Sequence, residues 1–230
     1  MSGFDPSASI GLSVVVGTLA VAASVVPAVA LGWLLARRRF RGKSLVTAIV
    51  LLPMVLPPVV TGLLLLELLG RRGPIGSLLA PLGVAIPFGF AAAVIAATVV
   101  GLPLFVMAVR ASFEAVDPAL EEVSRSLGDP PRRTFMRVTL PLAAPGLAAG
   151  AVLAFARALG EFGATIVLAG NTDASRTIAI AVYALLDRPR GEGQIWPLVA
   201  ASFALSLASL FGYELLVRWQ RRRLELDDGG

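Results

Sequence analysis

Residues 114–146 read EAVDPALEEVSRSLGDPPRRTFMRVTLPLAAPG, a charged amphipathic stretch set between segments so apolar that they belong in lipid. The contrast predicts spanning helices that hold a polar helical pair at one membrane face, placed to receive a push from a soluble partner. Within the stretch, Leu120, Val123 and Leu127 recur at helical spacing beside Glu121, Glu122 and Arg125, and Gly128 breaks the helix. Asp129 followed by Pro130 predicts an N-cap with proline at the first helical position. That opens a second short helix through Arg132, Phe135, Met136 and Val138, and Pro141, Pro145 and Gly146 mark entry into the next apolar segment.

Composition agrees with a membrane setting. Of 230 residues 57% are hydrophobic and 15% charged, and the mean hydropathy is +0.82, whereas about a quarter of a soluble domain is charged. The chain contains no Cys and no His, which removes disulfides, thiolate or imidazole metal sites and any Ser/His/Asp or Cys/His nucleophile system. The net charge of +5 does not point to nucleic acid, because Lys and Arg cluster at the ends of apolar runs, where they report orientation. MSGFDPSAS has no basic region ahead of its apolar stretch, so no removable signal peptide is expected.

Five stretches are long enough to cross a hydrocarbon core of about 30 Å at about 1.5 Å per residue: residues 8–36, 45–69, 88–109, 142–169 and 195–217. Lipid offers the backbone no water to bond, and the alternation of barrel strands is lacking, so the expected fold class is an all-α integral membrane protein of one domain, residues 1–230. Pro53, Pro57 and Pro58 each remove a backbone donor and should kink the second span, shaping a gate near the outer face. Fourteen Lys and Arg residues fall on one side: Arg37 to Lys43, Arg110 to Arg137 and Arg218 to Arg223. Five fall opposite, at Arg71, Arg72, Arg176, Arg188 and Arg190. The positive-inside rule then puts the amino terminus outside, and the carboxyl terminus and the loop of residues 110–141 in the cytoplasm.

That loop resembles the coupling loop of permease subunits of binding-protein-dependent ABC importers. Their pattern is EAA, three residues, Gly, nine residues, Ile, one residue, Leu, Pro. Here Glu122, Val123 and Ser124, then Gly128, then Val138, Leu140 and Pro141 keep every spacing, with Val and Ser replacing the alanines and Val138 the Ile. The resemblance implies the five-span type I importer permease fold and a loop that docks on a cytoplasmic ATPase. It assigns coupling to Glu122, Val123, Ser124, Gly128, Leu140 and Pro141, with the flanking Arg132 and Phe135. A narrower resemblance covers nearly the whole chain: FRGKSLVTAIVLLPMVLPPVVTGLLLL, LGRRGPIG, and AVLAFARALGEFGATIVLAGN followed by RTIAIAVYALL are similar to permeases of molybdate importers, in the molybdate, tungstate and sulfate branch. Sulfate and thiosulfate permeases carry similar EFGA segments, so sulfate or thiosulfate is the alternative cargo.

In the fourth span Arg157 and Glu161 stand four residues apart on one helical face, inside the apolar zone. Ionisable groups there are costly unless paired or wet. Either they form a self-contained pair that fixes packing, or Arg157 lines the pathway or gate with Glu161 holding it, alongside Phe162 and Asn171. A permanent strong anion site would make a poor transporter, so Arg157 is not read as a simple binding residue. Gly146, Gly150 and Ala154 read as a packing stripe, and TIAIAVYALL as a short outer helix that closes the mouth and meets the substrate-carrying protein. Gly42, Lys43 and Ser44 look like the end of a phosphate loop, but Arg37 stands where its first glycine is required, so no nucleotide site is expected. RRRLELDDGG reads as a solvated tail.

A chain without a phosphate loop takes its driving force from elsewhere, and five helices are too few to surround a pathway. The expected assembly is a homodimer in the lipid bilayer of the bacterial inner membrane, with two cytoplasmic ABC ATPase subunits that bind ATP and an extracytoplasmic oxyanion-binding protein. No cofactor is expected in this chain itself. A passive channel has no use for such a lever, and an intramembrane enzyme would need a Ser/Lys or Asp pair within the spans, whereas the one Lys lies at an interface.

Overall fold

The computed structural model describes residues 5–187 and 192–227, and in these helices are the only regular elements. Arg188 and Arg190, assigned above to the outer side, lie outside the described residues. Four helices are long and apolar enough to cross a membrane, and a bent pair makes a fifth.

The first span is α1 (Pro6–Arg37), opened by Asp5, whose carboxylate accepts the Ser7 N–H at 2.9 Å. The Ser7 hydroxyl bonds the same carboxylate and holds Asp5 below the usual carboxylate range. The third is α5 (Phe90–Glu114), the most buried span, which runs five residues past the expected end at residue 109. Its N-terminal half packs Ala92, Ala93, Ala96, Ala97 and Val100 against Val16 and Ala20 of α1. Its C-terminal half packs Phe105, Val106, Val109 and Phe113 against Ala28 and Leu35. The small residues let helices approach closely, as packing without a hydrophobic drive between helices requires.

The second span is not the single kinked helix predicted over residues 45–69. It breaks into α2 (Lys43–Val55) and α3 (Pro58–Leu69), and the unit Pro58–Leu82 that α3 opens is bent by 112° from α2. Pro57 and Pro58 lack the donors needed to carry the ladder across. Alone, the 13 residues of α2 and the 12 of α3 reach about 20 Å each, short of a bilayer core. Val46 and Val50 pack with the cluster around Phe105 and Leu69 with the cluster around Ala96, so the two halves together reach from one cluster to the other. In LGRRGPIG the chain folds back tightly before α4 (Pro74–Leu79): a Cβ on Gly73 would meet Glu67 O at 2.0 Å and one on Gly76 would meet Gly70 O at 1.9 Å.

The fourth span departs further from expectation. α7 (Pro131–Thr134) passes through a wide π-helical turn, Phe135–Thr139, into α8 (Leu140–Leu159), giving one unit of 29 residues. Helix then stops at Gly160 and resumes as α9 (Gly163–Leu168), so the continuous helix predicted over 142–169 is interrupted. The half-helices that follow the two breaks pack on each other. A Cβ on Gly62 of α3 would lie 2.8 Å from Ala164 Cα, and one on Gly163 of α9 would lie 2.7 Å from Pro58 Cβ. The carbonyls at the end of α9 find partners, as irregular backbone at membrane depth must. Leu168 O accepts from Phe88 N, and the Ser175 hydroxyl lies 3.1 Å from Ala169 O and 2.9 Å from Gly170 O.

TIAIAVYALL forms α10 (Ile178–Leu186), tied to α1 by a buried bond from the Ile178 N–H to Ser13 Oγ at 2.7 Å. α11 (Glu192–Asp227) contains the fifth span and stays helical to residue 227, so the segment read as a solvated tail continues the helix that far; residues 228–230 lie outside the description. Gly146, Gly150 and Ala154 are buried, with Gly150 against Phe105 and Ala108 of α5, which bears out the packing reading.

Candidate functional site

α6 (Pro118–Ser126) forms the first half of the amphipathic motif, capped by Asp117, whose carboxylate accepts the Ala119 N–H at 2.8 Å, with Pro118 at the first position. Gly128 ends it at φ +94°, a left-handed conformation in which a side chain is strained. The second helix starts one residue later than expected, with Pro130 in the cap position. Asp129 does not cap it; its carboxylate faces the Ser124 hydroxyl at 3.1 Å and Arg133 at 3.4 Å.

The helix is amphipathic with its faces reversed. Leu120, Val123 and Leu127 are 47%, 58% and 83% exposed, whereas Ser124 is buried and the Glu121 side chain is 12% exposed. Glu121 Oε1 lies 3.0 Å from Arg37 Nη2 and accepts the Thr139 hydroxyl at 2.9 Å, and Oε2 lies 3.1 Å from Arg125 Nη2. Arg37 Nη2 also donates to Val116 O at 2.8 Å. The Phe135 ring sits 5.9 Å from that of Phe113 and 6.1 Å from that of Trp33. An open groove of about 740 Å³, lined by Leu120, Val123, Leu127, Val138 and Pro141 among others, runs along the exposed side.

The motif residues therefore divide. Glu122, Val123, Arg132 and Pro141 are exposed, while Ser124, Phe135 and Leu140 turn inward and anchor the loop. Phe135, one of the residues assigned to coupling, is a wedge between α1 and α5, because an aromatic ring gains more from that apolar contact than from water. Sequence reasoning missed Glu121, Arg37 and Thr139. The i, i+3 spacing of Glu121 and Ser124 was the available signal, since it places both polar groups on one face.

At the break in the fourth span, Arg157 Nη1 lies 3.0 Å from Glu161 Oε2, with side-chain exposures of 32% and 2%. The pair forms as expected but not on one continuous helix. Arg157 occupies the last turn of α8 and Glu161 lies just ahead of α9, where Oε1 accepts the Ala164 N–H at 2.7 Å. A cation at a helix C-terminus and an anion at an N-terminus both match the helix dipoles. Phe162 follows and packs on Tyr183 of α10, centroids 5.1 Å apart. Asn171 lies apart from the pair, exposed, accepting from Arg176 Nε at 2.8 Å.

Residues 28–225 match the family of binding-protein-dependent transport system inner membrane components. The chain belongs to this family. As an inner-membrane component with four or five spans it is a multi-pass membrane protein. It is 46% identical over 214 residues to the molybdenum transport system permease protein ModB of Escherichia coli K12, covering 92% of this chain and 93% of that protein. The Haemophilus influenzae protein of the same name is 43% identical over 219 residues, 94% of each chain. In fold, this inner-membrane component is similar to the inward-facing MetNI methionine ABC transporter, with TM-score 0.67 and 19% identity over 94% of both chains.

Proposed function

We propose that the chain is the permease of an ATP-driven importer that carries molybdate across the inner membrane, working as a homodimer with two cytoplasmic ATPase subunits and an extracytoplasmic oxyanion-binding protein. The reversed amphipathicity of α6 carries the importer reading. An exposed apolar face on a short polar loop is unfavourable in water, and a protein groove or knob that covers it removes the penalty. The inner face of α6 is already held by Glu121 and Ser124, so the outer face is free for a motor subunit. The cargo reading rests on likeness to molybdenum permeases along nearly the full length of the chain, which favours molybdate over sulfate.

The positive-inside pattern supports a cytoplasmic α6 and an external amino terminus. ATP held by the partner would bring the ATPases together, move both α6 helices and shift the dimer between inward-open and outward-open states, a bias that requires different contacts in each. Arg157 and Glu161 are assigned to the gate. A charged pair at the junction of two half-helices is stable with cargo absent, and the exposed third of Arg157 leaves a weak attraction that a passing dianion can enter and leave.

The test is ATP-dependent uptake in proteoliposomes containing both partners. Molybdate uptake is expected to be competed by tungstate and not by equimolar sulfate, and reversal of charge at Glu122 is expected to abolish it. Uptake that sulfate competes equally would overturn the cargo, and uptake indifferent to Glu122→Lys would overturn the lever.

A further inference from the structure

The carboxylate of Glu121 joins three elements. It takes Arg37 from the last residue of α1, Thr139 from the last residue of the π-helical turn, and Arg125 from α6 itself. From this point two rods leave for the far side of the membrane. α1 runs from Arg37 back to Ser13, about 36 Å along its axis, where Ser13 Oγ holds the first N–H of α10 at the outer end. α8 runs from the π-helical turn to Arg157 and the break before α9.

We propose that Glu121, with Arg37 and Thr139, is the transmission joint through which movement of α6 is divided between α1 and α8. The proposal rests on the reading of α6 as the ATPase-driven lever. Apolar contacts are non-directional, whereas charge-assisted hydrogen bonds are directional and resist shear. Two of the groups that pull on the carboxylate come from different rods, so displacement of α6 loads both together. Room for the joint to rearrange is present: a cavity of about 500 Å³ lined by Trp33, Arg37, Glu121, Arg125, Phe135 and Thr139 lies beside it. Arg37 Nε is buried there with no hydrogen-bond partner among the described residues, a spare donor for the carboxylate in a second arrangement. A π-helical turn in the same place supplies a residue of slack, as such turns do at working sites. Glu121 is a positioning residue, since its carboxylate turns inward to α1 and the π-helical turn.

The experiment compares Glu121→Gln, Thr139→Val and the charge-swapped double variant Arg37→Glu with Glu121→Arg in the reconstituted complex, measuring ATPase association, ATP hydrolysis and molybdate uptake. Both single variants are expected to assemble and to hydrolyse ATP within about twofold of wild type, while uptake per ATP falls about tenfold. The swap is expected to recover part of that ratio. An unchanged ratio in the variants that assemble, or parallel losses of uptake and hydrolysis that leave the ratio intact, would overturn the joint and leave only a structural bond. If Glu121→Gln fails to assemble, Thr139→Val carries the same prediction alone. Failure of the wild-type complex to couple uptake to ATP would instead sink the importer reading.

Discussion

Gly62 and Gly128 are both glycines of necessity, for different reasons, and substitution separates them. At Gly128 nothing lies within 4 Å of an added Cβ, so Gly128→Ala suffers only the left-handed backbone penalty, roughly 1–2 kcal/mol. At Gly62 the new carbon would meet backbone of α9, Ala164 Cα and O at 2.8 Å, and relief requires α3 to move off α9. Gly62→Ala is expected to cost about 1–3 kcal/mol and to perturb the α3/α9 crossing, which a cysteine cross-link across it reports; Gly128→Ala leaves that cross-link unchanged. Glu161 obeys a similar logic. Glu161→Ala strips both the pair with Arg157 and the acceptor for the Ala164 N–H, a loss of about 1–3 kcal/mol from the stranded donor. The double variant Arg157→Met with Glu161→Gln keeps an acceptor and removes the charge, so its unfolding temperature in detergent should lie above that of Glu161→Ala. A lower value would show that the ion pair, not the cap, holds the break.

Among the elements, α6 invites the sharpest comparison of stability with association. Leu127 and Val123 are exposed, so Leu127→Asp and Val123→Asp should change the stability of the permease by no more than about 0.5 kcal/mol. The same changes put charge into a face that a partner must desolvate, and co-purification of the ATPase should fall about tenfold or more. Normal co-purification would show that the motor docks elsewhere. The two short helices of the motif were readable from Leu120, Val123, Leu127 and Gly128, because 3.6-residue periodicity and a glycine stop act locally. Which face turns inward was not readable, because Arg37 and Thr139 lie far along the chain from Glu121. The breaks in the second and fourth spans divide in the same way: consecutive prolines announced the first, whereas nothing as local announced the second, which is held open by Glu161 and the packing of Gly163 on Pro58.

Across the described residues α1, α2, α8 and α9 pack on α5. Arg157 retains 32% exposure of its side chain at membrane depth, a costly position against hydrocarbon and a reasonable one beside a wet pathway walled by a second copy. Native mass spectrometry of the purified permease in nanodiscs is therefore expected to show a dimer; a monomer that still supports uptake with its partners would refute the shared pathway.

Chain composition and hydropathy alone determined that this protein spans the membrane as helices, with a polar amphipathic loop between its third and fourth spans, since the cost of placing backbone and charge in lipid is paid residue by residue. Tertiary structure decided the rest: that two spans break and pack on each other, that α6 shows water its apolar side, and that Glu121 rather than its neighbour Glu122 ties α1 to α8. These outcomes depend on contacts between distant segments, and no local pattern encodes which groups will meet.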